Sequence, residues 1–170
     1  MRVLTIGGVE IAVESSDQIS QTYVSIGGVS TLRTMSGGGI RQRNWRRLST
    51  TISVPSARFL PALHALDLDE PHVIQCLARR QISANTSAIT IPSARRADVD
   101  PIGYALLASG FMARTSGVLV GDVLTLVEVP GAVRYTATYV PEFLALITDL
   151  SEQMDVRAAR AGWELTAEEV

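Results

Sequence analysis

Arg2-Val3-Leu4-Thr5-Ile6-Gly7-Gly8-Val9-Glu10-Ile11-Ala12-Val13 sets two short apolar arms on either side of a glycine pair. A two-glycine connection supplies the positive φ angles that a tight hairpin turn needs. In the second arm Val9, Ile11 and Val13 alternate with Glu10 and Ala12, the period of a half-buried strand. The same punctuation returns downstream. Gln18 to Ile26 is strand-like, Gly27-Gly28 reads as a turn, and Val29 to Thr34 runs back, which predicts a second hairpin. Ser36-Gly37-Gly38-Gly39 is a third break, and the Thr and Ile content of Leu48–Val54 favours a strand. His72–Arg79 and Gln81–Ile91 read as strands. So do Val118–Val120 and Val123–Val129, joined by Gly121-Asp122, and Ala132–Tyr139 after the Pro130-Gly131 turn. Near the end Ala161, Trp163, Leu165 and Ala167 oppose Gly162, Glu164, Thr166 and Glu168, a closing strand that completes a sheet with the N-terminal strands. The fold class read from these patterns is mainly β.

Two stretches interrupt the β pattern. Ser56 has the character of an N-cap, and Phe59, Leu60, Leu63 and Leu66 share a helical face, which predicts one short helix through Asp67, limited by Pro61. Phe143, Leu144, Ile147, Leu150 and Met154 have helical spacing, although Leu144–Thr148 reads equally as a strand. Pro92 to Pro101, with two prolines and four charged residues, is the expected boundary. It divides a β domain of residues 1–98 and 141–170 from a small inserted β-module, 99–140.

Composition narrows the function classes. Of 170 residues 46% are hydrophobic and 19% charged, with a formal net charge of -2. So apolar a chain offsets its ordering entropy by burial, and the near-neutral total argues against a strongly charged nucleic-acid or membrane-surface protein. The single cysteine, Cys76, sits in a short apolar run and reads as core filler; it forms no internal disulfide and supplies no multi-cysteine zinc site. The basic side chains are all arginine apart from two histidines, with no lysine. Codon usage in a GC-rich genome accounts for this, and selection for bidentate ion pairs at interfaces is the alternative. Met1–Glu10 is not a secretory leader, and Ile102–Ala113 is too short to cross a bilayer, so the expectation is a chain made in the cytoplasm.

Candidate chemistry is sparse. His64 and His72 flank an acidic turn containing Asp67, Asp69 and Glu70, but the spacing matches no metal site and lacks the glycine and distal glutamate of a calcium loop. Ser36–Gly39 is followed by Ile40-Arg41-Gln42-Arg43 without the Lys-Ser/Thr of a phosphate loop. Neither a G-x-S-x-G elbow nor H-E-x-x-H occurs. The expectation is a protein that is not an enzyme, with no catalytic, metal or cofactor-binding residues. The densest charge is Arg41, Arg43, Arg46 and Arg47 around Trp45. On a strand Arg41, Arg43, Trp45 and Arg47 would share one face. Phosphate pairing and base stacking are one use of such a face; a plain solvated face is another. A subunit interface, where tryptophan and arginine are the preferred anchors, is the reading adopted.

The run Leu32-Arg33-Thr34-Met35-Ser36-Gly37-Gly38-Gly39-Ile40-Arg41-Gln42-Arg43-Asn44-Trp45-Arg46-Arg47-Leu48 is similar to a segment of small tail proteins of long-tailed bacteriophages (siphoviruses). Ile82–Arg96, Val129–Tyr135 and Trp163–Glu169 resemble the same group. The family implied is the distal tail protein or a close relative at the tail tip (baseplate). The resemblance implies a tail-tube-like β-sandwich or rolled sheet, with residues 99–140 as the family's variable inserted domain. It also implies a structural virion protein that forms a ring, a homohexamer, joining the tail tube to the receptor-binding apparatus. The partners implied are copies of itself, the tail tube protein, and the tip hub and minor tail proteins, with no membrane, no specific nucleic acid and no cofactor. The location implied is the virion tail, after synthesis in the host bacterial cytoplasm. A tail tube or tail-completion protein is the nearest alternative. A carbohydrate-binding module using Trp45, Trp163 or Ile102–Tyr139 is the alternative of another class.

Overall fold

Strands account for nearly all the regular structure in the computed structural model, which describes residues 3–11 and 18–170. The first seven are β1 (Leu4–Ile6), β2 (Val9–Ile11), β3 (Ser20–Ile26), β4 (Val29–Arg33), β5 (Gly39–Arg43), β6 (Arg47–Ala57) and β7 (His72–Gln75). Then come β8 (Arg80–Ala84), β9 (Ala88–Thr90), β10 (Ile102–Leu107), β11 (Met112–Thr115), β12 (Gly117–Val120), β13 (Val123–Leu126), β14 (Ala132–Tyr139), β15 (Glu142–Asp155) and β16 (Arg160–Glu169). The fold is mainly β, as the alternating patterns predict. The chain divides into two compact units, residues 1–74 with 144–170, and residues 75–143.

The first unit is built on a seven-stranded sheet in the order β2-β1-β7-β15-β16-β6-β3. Its first hairpin is the predicted one: Leu4 pairs with Ile11 and Ile6 with Val9, and Gly7 and Gly8 both take positive φ, 57° and 84°. The part of that reading that extends to Ala12 and Val13 lies outside the described residues. β16 lies between β15 and β6. Ala161, Trp163, Leu165 and Ala167 are buried on one face, and Leu165 lies directly opposite Ile52 of β6. Leu165 and Ile52 each contribute roughly 1.5–3 kcal/mol by leaving water. The Phe143–Met154 stretch resolves as strand, because β15 pairs with β16 from Ala145 to Asp155, with one irregularity at Thr148.

The second unit has a four-stranded sheet, β11-β10-β14-β8, and a three-stranded sheet, β12-β13-β9. They share a core of Ile89, Ile91, Ala105, Leu124, Leu126, Tyr135, Ala137 and Tyr139. Gly103 on β10 permits a close approach, since a Cβ there would stand 2.2 Å from Leu126 Cδ2. Tyr135 keeps its hydroxyl satisfied at the edge of this core by accepting the Val129 amide at 3.1 Å.

Three expectations change. Gly27-Gly28 is not a hairpin turn: β3 pairs with β6, β4 pairs with β5, and neither glycine has positive φ. The expected helix from Ser56 to Asp67 is a single 3-10 turn, Ala62–Ala65, led by Pro61. β6 itself runs on through Ala57, and its ladder with β16 shifts register between the Val54–Trp163 and Ala57–Ala161 pairs. Pro55 lacks an amide to donate and fits that irregularity, where a Cβ on Gly162 would come 2.9 Å from its carbonyl oxygen. Finally, the second unit begins near residue 75 rather than 99, because β8 pairs with β14 and β9 with β13.

The supposed boundary, Pro92–Pro101, is tied down within that unit by arginine. Arg95 donates to Asp122 Oδ1 at 2.7 Å, to the Pro92 carbonyl at 2.7 Å and to the Gly121 carbonyl at 2.8 Å. Arg96, 5% exposed, forks onto both oxygens of Asp98 at 2.9 and 2.6 Å and donates to the Cys76 carbonyl at 3.0 Å. Hydrogen bonding by this guanidinium, aided by its charge, holds the Asp98 carboxyl below the usual carboxylate range. Cys76 is buried, as its apolar context predicts.

Candidate functional site

β4 and β5 form a two-stranded sheet of their own, and all ten strand residues are exposed. The ribbon extends the β3–β6 ladder beyond its last pair, Ile26 with Arg47. At the junction two residues, Gly27 and Gly28, oppose three, Asn44, Trp45 and Arg46, so the ladder carries a bulge. The glycines are needed for packing. A Cβ on Gly27 would lie 2.3 Å from the Trp45 carbonyl oxygen, and one on Gly28 would lie 2.9 Å from the indole Nε1. The Asn44 amide donates to the Gly28 carbonyl at 3.0 Å and closes the junction. Ser36–Gly39, the candidate phosphate loop, lies at the ribbon's tip. The Thr34 amide donates to the Gly38 carbonyl there, and Gly37 sits at φ 84°.

Register sorts the ribbon's side chains into two faces. Val29 pairs with Arg43, Thr31 with Arg41 and Arg33 with Gly39, so Arg33, Arg41 and Arg43 share a face. Leu32 and Ile40, directly paired, lie on the other. A depression of about 210 Å³ at the ribbon's base is lined by Arg41, Arg43, Trp45 and Arg46 together with Ser25 and Val29. Arg46 donates through Nε to Ser25 Oγ at 2.7 Å, and Trp45 remains 51% exposed.

Four of the five predicted interface residues therefore converge, and the fifth, Arg47, does not line the depression. The bulge breaks the alternation on which the Arg41-Arg43-Trp45-Arg47 face was read. Arg33 is the member that spacing along β5 alone missed; counting the register back across the Ser36–Gly39 tip finds it.

Charge is strongly segregated in this unit. Residues 18–66 hold six arginines and no carboxylate, whereas residues 144–170 hold six carboxylates and two arginines. Among the described residues Arg33, Arg41, Arg43 and Arg47 have no ion-pair partner in the chain. A cationic ribbon of this kind can engage a carboxylate-bearing surface or a phosphate backbone.

Elsewhere the other candidates take ordinary structural roles. His72 Nε2 contacts the Asp67 carbonyl oxygen at 2.7 Å, and no metal-binding group of His, Cys, Asp and Glu occurs among the described residues. Trp163 is 4% exposed in the sheet interior and offers no face to a sugar. In the second unit Val118 and Val120 are strongly exposed on β12, an edge strand with apolar side chains. Among the described residues no helix is long and apolar enough to cross a membrane. The chain matches no protein-family model and no curated protein by sequence.

Proposed function

We propose that the protein is a structural component of a phage tail. It forms a ring at the distal end of the tail tube and connects the tube to the tip and receptor-binding apparatus. The observation that carries this reading is the β4–β5 ribbon. Ten strand residues are ordered in pairs without a single buried side chain. A two-stranded ribbon is at best marginally stable alone, so one that leaves its sheet fully exposed is suited to pairing or docking on another chain. Arginine and tryptophan at its base are the residue types that dominate contact energies. The similarity of Leu32–Leu48 to distal tail proteins supports the same use, because this segment takes in the end of β4, the ribbon's tip, all of β5 and the Asn44–Arg46 side of the junction.

The test is assembly of the purified protein. Wild type should give closed rings by electron microscopy and an oligomeric mass in solution. Arg43→Glu combined with Arg46→Glu should abolish rings while leaving a folded monomer. Intact rings in that variant would remove the ribbon from the subunit contact. Open-ended tubes in place of rings would favour the tail tube reading.

A further inference from the structure

The ribbon's arginine face has a matching surface on the same molecule, and this match deepens the ring reading on which it rests. In the seven-stranded sheet the even-numbered residues of β16 point away from the buried face. A hydrogen bond between Thr166 Oγ1 and Thr51 Oγ1, 3.1 Å apart, marks that outer face. Glu164 and Glu168 lie on it by alternation. Asp149 joins them because the irregularity at Thr148 flips the phase of β15 and sets Asp149 opposite Thr166. The three carboxylates thus stand at successive steps along the sheet: Glu164, then Asp149 two rungs on, then Glu168 two rungs beyond. Four residues of strand span about 14 Å at a rise of about 3.4 Å per residue.

On the ribbon, Arg43 is level with Val29, Arg41 with Thr31 two rungs on, and Arg33 with Gly39 two rungs beyond. Three cations therefore cover the same four-residue rise as the three anions, and each set uses two adjacent strands. Among the described residues neither set has an ion-pair partner within the chain. The ribbon also leaves the β3–β6 ladder beyond the Ile26–Arg47 pair, whereas the carboxylates lie back along that ladder, from Glu168 opposite Ser49 to Glu164 opposite Ser53, and the arginines form no ion pair with them. Contact between the two surfaces is thus a contact between copies.

We propose that the Arg33–Arg41–Arg43 face of one copy's ribbon docks on the Glu164–Asp149–Glu168 face of the next copy. Such a contact is head-to-tail, because the two surfaces differ, and a head-to-tail contact yields a ring when its rotation closes. Charge-paired docking of this type is weakened by salt.

Charge exchange tests it. Arg41→Glu with Arg43→Glu gives a copy with an acidic ribbon and acidic sheet face; Asp149→Arg with Glu164→Arg gives a copy with both basic. Each alone should remain monomeric by sedimentation at low ionic strength, with an unfolding midpoint near wild type. A 1:1 mixture should assemble, since alternating copies restore both kinds of contact. If wild type assembles but the mixture does not, the two surfaces do not meet, and the ring reading stands without this contact. If the arginine reversal misfolds, Asp149→Asn with Glu164→Gln replaces it. That pair should weaken assembly at least tenfold and reduce its salt dependence, and unchanged assembly would overturn the contact. If wild type stays a monomer at high concentration, both the ring and the contact fall. Salt-sensitive binding of a 20-nucleotide DNA duplex by that monomer, lost in Arg41→Glu/Arg43→Glu, would assign the ribbon to nucleic acid instead.

Discussion

The β6–β16–β15 ladder and the β4–β5 ribbon are both antiparallel and both hydrogen-bonded, yet only the first carries buried side chains. Backbone pairing is common to the two. Apolar burial is what separates them, because net hydrogen-bond gains in water are small and ordering costs are not. The ladder therefore stabilises the fold, while the ribbon adds ordered surface without adding core.

Truncating the two regions should give opposite results. Leu165→Ala or Ile52→Ala, at a fully buried pair, should cost about 2–5 kcal/mol in denaturant unfolding. Leu32→Ala or Ile40→Ala, also a direct cross-strand pair, should stay within about 0.5 kcal/mol. Equal losses at the two sites would erase the distinction.

Glycine positions sharpen the contrast. Gly103→Ala should overpack the core of the second unit against Leu126 and cost about 1–3 kcal/mol in thermal or denaturant unfolding. Gly27→Ala should act locally instead. The clash with the Trp45 carbonyl should speed hydrogen exchange throughout residues 29–43, with the β6–β16 amides as protected as in wild type.

The smallest effect concerns the Arg96–Asp98 fork. Its carboxyl titrates lower in the fold than unfolded, so its contribution is present above the ordinary carboxylate pKa and fades as pH falls through the lowered value. Acidification through that lowered value should loosen residues 92–101, and Asp98→Asn should reduce that pH sensitivity. Proteolysis or exchange of this loop at graded pH reads both.

Much of this architecture was legible where period-2 alternation and turn chemistry coincide, as in Leu4–Ile11 and Ala161–Ala167. It failed where one local signal serves two geometries. A glycine pair supplies positive φ at Gly7-Gly8 but close approach to Trp45 at Gly27-Gly28, and nothing local to Gly27 distinguishes the two. Pro55 and Ser56 look like a helix start, yet pairing with β16, some hundred residues away, keeps them in a strand. Pro92–Pro101 reads as a linker because it has few apolar residues, while arginine forks rather than burial hold it. The interface candidates Arg41, Arg43, Trp45 and Arg46 could be picked from charge density and a tryptophan. The opposing carboxylate face could not, because Asp149 reaches it only through the irregularity at Thr148.

Hydrogen exchange of residues 29–43, measured on dilute and on concentrated protein, addresses the ribbon's role most directly. If the ribbon is held by a neighbouring copy, these amides should exchange quickly in the dilute monomer and become protected as the oligomer forms, with the core amides unchanged. Exchange in residues 29–43 that is the same at both concentrations, while the protein keeps a single subunit's mass, would contradict it.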